Sequence, residues 1–570
     1  MSADGREAHK ARADRPAPPG WLRKRLAASG RAFSTTLRNP GLLRAQLAFG
    51  GAWTAEAAFT VALAVVAFRD GGAEAVGLVA FVRTAPAALL APVGTAFADR
   101  FRRDRVLVWS CLIRAGATAA AAALLAAGGS KLPVYALAVI ATAAFRMFRP
   151  AHSALLPGLC STPLELSSAN VVRGLLDSVS TLLGPLAAAL LLDLSSAAAV
   201  FVTSAVLSFA SAMLLLRLSY EAPQRGRQQP LRRILHESFE GFQALARYRD
   251  AGLLIGLALV QALTQGFLYV FVVVLALEQL GMGSSGVGLL TAALGAGAVA
   301  SSLGASAFVT GRRLAALEGI GVMLWGLPLT LSGALPHEPV VLGLMFVIGI
   351  GNALVDIGLH TLPARLVPEE LLARVFGAKA SLTALFIAIG AFITPLAIDL
   401  FGIRGALIVL GLVAPTAAVL AWPRLRAIDG AISHRDREIE ILNRVAMFRT
   451  LPMPAVDELA SRVEKLAFAA GEEVFHQGDH GDRFYVIEDG EADVIGDDRR
   501  IRTLRSGDGF GEIALLHDTL RTATVRARMP VRLYSLDRHH FLSAVTGYES
   551  SEDEAKALAL DRLTAFNPAH

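Results

Sequence analysis

The sequence predicts a multi-pass α-helical membrane protein of about twelve transmembrane helices in two six-helix halves. A cytoplasmic α+β domain, a β jelly roll flanked by helices, is expected to follow it. Three observations predict this. Apolar residues make up 54% of the 570-residue chain and charged ones only 18%, where a soluble globular chain carries about a quarter. The apolar excess fills residues 41–422 and stops after Trp422-Pro423. Beyond that point, short alternating segments are separated by glycine turns, the pattern of a small β-barrel.

Taken in order, residues 1–40 form a basic arm rich in Arg and Pro. Within it Trp21, Leu22, Leu26 and Phe33 stand among Arg and Lys, which suits either an amphipathic helix on the inner leaflet or a solvated basic arm. No cleavable leader is expected, since the first long apolar stretch begins near Leu47.

A spanning helix needs roughly twenty mostly apolar residues. Residues 41–422 hold about twelve such stretches, centred near Ala58, Ala88, Ala119, Ile140, Leu182, Val206, Leu268, Gly297, Leu327, Ile348, Ala388 and Val409. Their Ala and Gly content lets helix backbones approach closely in lipid. The longest internal connection, 219–250, separates the two sets of six. Weak echoes between the halves, such as Leu156-Pro157 against Leu362-Pro363, suit a transporter built from repeats.

The net charge of +6 is carried mostly by arginine. Alternate connections hold Arg100, Arg102, Arg103 and Arg105, then Arg225, Arg227, Arg232 and Arg233, then Arg312 and Arg313, then Arg365 and Arg374. The intervening ones are short and carry few basic residues. By the positive-inside rule both termini are cytoplasmic, in a plasma (inner) membrane. No basic patch interleaved with aromatics occurs, so no nucleic acid partner is expected. Cys111 and Cys160 lie in or beside apolar segments and imply neither a disulfide framework nor a metal site.

Ionisable residues inside the bilayer are functional candidates by default. Glu56, Arg114 and Arg146 fall near mid-membrane in their spans, and Arg83 precedes Pro86 in the second. Arg173 and Asp177 share a helix face, as do Asp356 and His360, while Gln261, Gln265 and Tyr269 step along another. Two readings stand side by side. Glu56, Asp177 or Asp356 exchanges protons to drive export, or the charges are fixed pairs, with Glu56 neutralising Arg114 or Arg146 and Asp177 neutralising Arg173.

After the second span the chain reads Thr95-Ala-Phe-Ala-Asp99-Arg100-Phe-Arg-Arg103-Asp-Arg105. This resembles the loop motif of the major facilitator superfamily, with Thr95 and Arg102 at positions usually held by glycine. The resemblance implies that Asp99, Arg100 and Arg103 form a gating loop whose ion pairs lock the inward-closed arrangement. Arg149-Pro150, Leu156-Pro157, Ala169-Asn170 and Gly184-Pro185 resemble the drug- and siderophore-exporting branches, although Ala187 and Ala188 replace the flanking glycines.

From 423 the composition turns charged. Residues 423–440 are expected to be a helical linker and 441–570 a separate domain. One helix is expected over 429–448, with Ile432, Ile439, Leu442, Val445 and Phe448 on its apolar face. Strands are expected at 473–476, 483–488, 491–495, 499–504, 523–528 and 531–537, before a final helical stretch. Here stand Gly478-Asp479-His-Gly481-Asp482-Arg-Phe484-Tyr485 and Phe510-Gly511-Glu512-Ile513-Ala514, followed by Arg521-Thr522-Ala523. The two blocks are similar to the cyclic-nucleotide-binding domain of catabolite activators, cyclic-nucleotide-dependent kinases and gated channels. Chemistry agrees: Arg521 suits a cyclic phosphate oxygen, and a helix start after Gly511 suits its negative charge. The resemblance implies that Glu512 accepts from the ribose 2′-hydroxyl. Thr522 leaves the base open; cAMP is favoured over cGMP.

The expected function is therefore secondary active transport, a proton-coupled export of a small molecule under cyclic-nucleotide control. The alternatives are a nucleotide-responsive membrane sensor or scaffold, and a lipid flippase of the same fold. No catalytic activity is expected, since neither a nucleophile elbow nor a P-loop occurs.

Overall fold

The computed structural model describes residues 39–100, 102–160, 162–218, 240–309, 313–451, 453–497, 499–547 and 549–566. The N-terminal arm, most of the central connection and the side chains of Asp99, Arg100 and His360 lie outside the described residues. The chain divides into two compact units, Met1–Arg426 and Ala427–His570.

Among the described residues, ten helical stretches are long and apolar enough to cross a membrane. Two of these are pairs of helices joined at a glycine corner. α1 (Pro40–Arg100) breaks at Gly71 and Gly72, and Gly72 takes φ +59°. The other, Leu371–Leu442, takes in α11 (Glu369–Gly411) and the helix after it (Val413–Leu442) and breaks at Gly402, φ +69°. A side chain is disfavoured at such angles, so glycine sets both corners. Each counted as two spans, they give the twelve that the apolar runs predict.

The first half is completed by α2 (Arg103–Ala126), α3 (Leu132–Arg146), α4 (Phe148–Leu155), α5 (Pro163–Leu194) and α6 (Ala197–Leu216). The fourth span is expected as one helix but divides at Met147. Pro150 has no N–H for the Arg146 carbonyl, which removes the bond that would join α3 to α4. The second half contains α7 (Arg249–Val274), α8 (Gly283–Val309), α9 (Leu314–Ala334), α10 (Glu338–Thr361), α11 and α12 (Val413–Leu442). Phe59, Phe201, Phe267, Phe271 and Trp325 anchor a core drawn from both halves.

The halves meet backbone to backbone where α5 passes α8. A Cβ on Gly288 would lie 2.5 Å from the Pro185 carbonyl oxygen, and one on Gly295 would lie 2.6 Å from that of Thr181. These contacts fall in the C-terminal part of α5 and the N-terminal part of α8, toward the end of the bundle that holds the Gly72 and Gly402 corners.

The second unit carries two four-stranded antiparallel sheets, the jelly roll predicted from the alternating segments. β1 (Glu464–Phe468), β8 (Val531–Asp537), β3 (Arg483–Asp489) and β6 (Gly509–Phe510) are neighbours in that order. The other sheet runs β2 (Glu473–Phe475), β7 (Thr524–Ala527), β4 (Ala492–Gly496) and β5 (Arg499–Leu504). Inward residues Ile487, Leu504, Phe510, Val525 and Leu533 fill the space between them.

Helices α13 (Ala446–Arg449), α14 (Met453–Arg462), α15 (Glu512–Leu516), α16 (Arg538–Thr546) and α17 (Glu549–Phe566) complete the unit. Stacked Phe484 and Phe541, with Phe448 edge-on to both, tie α13 and α16 to β3. Asp537 caps α16 through the His540 amide at 3.0 Å. Hydrogen bonds from His540 hold that carboxyl below its usual range.

Two expectations are corrected. The helix expected over 429–448 is not one element: α12 carries on through Pro423 to Leu442, and α13 starts only at Ala446. The change to charged residues marks new surroundings for the helix, not its end. Strands β1 and β6 are absent from the sequence reading; β6 is only two residues long, and β1 alternates too weakly to show a buried face.

Candidate functional site

The most completely built site lies in the second unit. β6 ends at Phe510, and Gly511 turns the chain at φ +90° into α15. A Cβ on Gly511 would sit 2.6 Å from the Arg521 guanidinium, so only glycine lets that arginine in. The arginine itself is stapled by its backbone: its amide donates to the Asp479 carbonyl at 2.8 Å, and its carbonyl accepts from Gly478 at 2.9 Å. The two glycine-containing blocks of the sequence thus meet in space.

Arg521 is 3% exposed, and its Nη2 lies 3.8 Å from the Asp482 carboxylate. Nη1 donates to the Gly511 carbonyl at 2.9 Å and Nη2 to the Arg483 carbonyl at 2.7 Å. The guanidinium lies 4.2 Å from the centre of the Phe475 ring and 5.8 Å from that of Tyr485. Its Nε is buried with no hydrogen-bond partner. Burial lowers its pKa from the ordinary arginine value, against the pull of Tyr485, Asp482 and Glu512. Burial likewise raises the Tyr485 phenol.

Glu512 is 1% exposed. Oε1 accepts from Arg562 Nη1 at 2.8 Å, while Oε2 and the Arg562 Nε are buried without partners. A cation and an acceptor, each with unspent hydrogen-bonding capacity, therefore face one cleft. That cleft holds about 670 Å³ including its open mouth, and Phe475, Val494, Ile501 and Leu504 supply an apolar wall.

Phe510, Gly511, Glu512, Ile513, Ala514, Arg521, Thr522 and Ala523 all line this cleft. Arg562, Phe475, Val494, Ile501, Arg502 and Leu504 also line it and are missing from the sequence reading. Arg562 comes from α17, fifty residues from Glu512 in the chain. No local pattern joins them.

In the membrane unit, Glu56 is ion-paired with Arg114 and lies 3.7 Å from Arg83. Arg114 is fully buried, donates to Ser208 at 3.1 Å and lies over the Phe145 ring at 4.8 Å. Arg83 also donates to Thr60 at 3.1 Å. Of the two partners expected for Glu56, the structure selects Arg114; Arg146 makes no ion pair with it.

Asp177 corrects the reading more sharply. It pairs with Arg149 at 3.2 Å, not with Arg173, which donates to the Ser153 hydroxyl. The break before α4 brings Arg149 and Ser153 against α5, and both α5 side chains reach across to them. Asp356 accepts from Asn352 at 3.3 Å, and Asn352 from Gln261 at 3.1 Å. Arg103 donates to the Ala154 carbonyl at 2.6 Å. The sequence reading also lacks Glu318, 0% exposed with both carboxyl oxygens unpartnered, and Lys379 in α11.

A bundle of paired spans with charges inside it, continued by a jelly roll holding an arginine-lined cleft, defines a helical membrane transporter with an attached ligand-binding domain. Residues 45–388, more than half of the chain, match the family model of the Major Facilitator Superfamily, and the chain belongs to that family. Residues 465–548 match the model of the cyclic nucleotide-binding domain.

Among curated proteins, a cAMP-dependent protein kinase regulatory subunit of Schizosaccharomyces pombe is 37% identical over 112 residues, 19% of this chain and 27% of the relative. A cGMP-dependent protein kinase of Eimeria tenella is 35% identical over 121 residues, 21% of this chain and 12% of the relative. The chain thus spans under a third of the length of these relatives. Among solved structures, the regulatory domain of Toxoplasma gondii PKA with cAMP is 25% identical, covering 24% of this chain and 54% of that one, at a TM-score of 0.22.

Proposed function

We propose that the chain is a secondary active transporter, a proton-coupled exporter of a small molecule, regulated by a cyclic nucleotide, with cAMP preferred to cGMP. Both termini lie in the cytoplasm, where the nucleotide is made. The observation that carries the regulatory part is the pair of unspent groups in the cleft. A cyclic phosphate needs a fixed cation, and Arg521 holds one against two carbonyls with Nε to spare. A ribose needs an acceptor for its 2′-hydroxyl, and Glu512 offers Oε2. The apolar wall of Phe475, Val494, Ile501 and Leu504 suits a purine. Relatives named for cAMP and for cGMP both match and Thr522 leaves the base open, so the preference for cAMP is carried over from the sequence expectation alone.

Arg562 makes α17 the lid. It holds Oε1 of Glu512 while leaving Oε2 for the ribose, so nucleotide and α17 share one carboxylate. Any regulation requires the nucleotide to bind one transporter state better than another. α12, which extends from Val413 to Leu442, is the covalent path for that difference.

Calorimetry on the detergent-solubilised full chain tests the ligand. cAMP is expected to bind once per chain and more tightly than cGMP, and an absence of binding by both sinks the reading. Deuterium exchange tests regulation: cAMP is expected to change exchange in α5 and α8 of the wild type but not of Arg521→Ala. Unchanged exchange in the wild type would leave the nucleotide without influence on the membrane unit.

Arg562→Ala is expected to weaken cAMP binding about tenfold or more, the loss of one hydrogen bond to a charged group. It should also narrow the preference for cAMP over 2′-deoxy-cAMP, because Glu512 loses the donor that orients it. Equal discrimination in wild type and variant would show that Arg562 does not position the carboxylate.

A further inference from the structure

The charges between the two six-helix halves do not balance. Five arginines of the first half, Arg83, Arg114, Arg146, Arg149 and Arg173, and Lys379 of the second face four carboxylates, Glu56, Asp177, Asp356 and Glu318. Glu56 is shared by Arg83 and Arg114, and Asp177 is taken by Arg149. Among the described residues, neither Arg146, Arg173 nor Lys379 has a carboxylate within ion-pair distance, although Glu56 attracts Arg146, Asp177 attracts Arg173, and Asp356 and Glu318 attract Lys379 from further off. The hydrogen bond of Arg173 goes to the Ser153 hydroxyl.

Arg114 and Glu318 are fully buried inside their own halves, whereas Arg146, Arg149, Arg173 and Lys379 lie about the space where the halves approach, the last three near Asp177 and Asp356. Asp177 of α5 is within electrostatic reach of Asp356 of α10, Arg149 of Lys379, and Arg146 of Tyr269. Ser178 and Ser302 bridge α5 and α8 at 2.9 Å beside them. The Arg149 side chain is 54% exposed, and Arg146 and Asp356 are exposed as well.

We propose that this space is the substrate site and that its substrate is an organic anion bearing a carboxylate or phosphate group. The inference rests on the reading of the membrane unit as a transporter and names its cargo. Unmatched cations inside a bilayer are costly and call for a counter-charge. An anion spanning Arg146, Arg173 and Lys379 supplies it, with guanidinium forks that match carboxylate and phosphate oxygens. A cationic cargo would add to the excess and leave all three unmatched.

The test uses membrane vesicles carrying the full chain, loaded with a total small-molecule extract of the host cells and scored by mass spectrometry for compounds whose passage depends on the chain. The expected result is a set of anionic compounds, whose passage falls at least tenfold in the Arg173→Gln, Lys379→Gln double variant. Arg173→Lys with Lys379→Arg keeps the charge and should retain part of it, with melting curves of the membrane unit in the same preparations reporting folding. Dependent compounds that are all neutral or cationic overturn the anion assignment alone. So does undiminished passage in the double variant. An absence of any dependent compound overturns the transport reading and this inference with it.

Discussion

Arg521→Ala is expected to weaken cyclic-nucleotide binding by the full chain about a hundredfold to a thousandfold, from truncating one partner of a buried charge-assisted hydrogen bond. The size of the effect follows from how the side chain is held. Gly511 and Arg483 each commit a carbonyl to the guanidinium, and Phe475 stacks on it. The cation is therefore fixed before ligand arrives, so little ordering entropy is lost on binding. Arg521→Lys should do little better. An ammonium has no planar face for Phe475 and cannot donate to two carbonyls and a phosphate in one plane. Calorimetry with cAMP separates the cases, and near-wild-type affinity in the alanine variant would remove Arg521 from the site. The two carbonyls left without donors should also lower the melting temperature of the second unit, so melting curves must accompany the titrations.

What the sequence makes legible here follows from range. Gly511, Glu512 and Arg521 stand within eleven residues, and their roles depend on a turn, a short helix and a loop that local chemistry specifies. The spans are legible for a similar reason: apolar runs of sufficient length have few alternatives. Partners across the bundle are another matter. The i,i+4 spacing of Arg173 and Asp177 correctly gives a shared face, yet each turns to α4, because a break at Met147 changes what that face meets. Arg562 is illegible for the same cause on a larger scale. Its direction is set by Ala555 packing into the core beneath α17, and nothing near Arg562 in the chain mentions Glu512. Glu318 lies near the start of α9, where an acidic residue reads as flanking a span, and only the packing of Gly358 against it reveals its burial.

The second large effect is expected at Glu56. Arg114 is 0% exposed and Glu56 17%, and Arg114 has one further buried nitrogen, Nη2, without a partner. Replacing Glu56 with Ala would strand two buried cations, Arg114 and Arg83. Breaking a buried pair in this way costs about 3–5 kcal/mol. In a unit of this size that corresponds to a melting temperature lower by roughly 5–10 °C in detergent. Glu56→Gln keeps a hydrogen-bond acceptor and should lose less. The double variant Glu56→Gln, Arg114→Gln should recover part of the loss, because it removes the stranded charge as well as its partner. An unchanged melting temperature in Glu56→Ala would mean that the pair holds nothing together. Transport then divides the two readings of Glu56 that the sequence leaves open. If the double variant regains stability but not chain-dependent passage, the carboxyl serves the transport cycle. If both return, Glu56 is a structural counter-ion, and the proton coupling proposed above falls to Asp177, Asp356 or the buried Glu318.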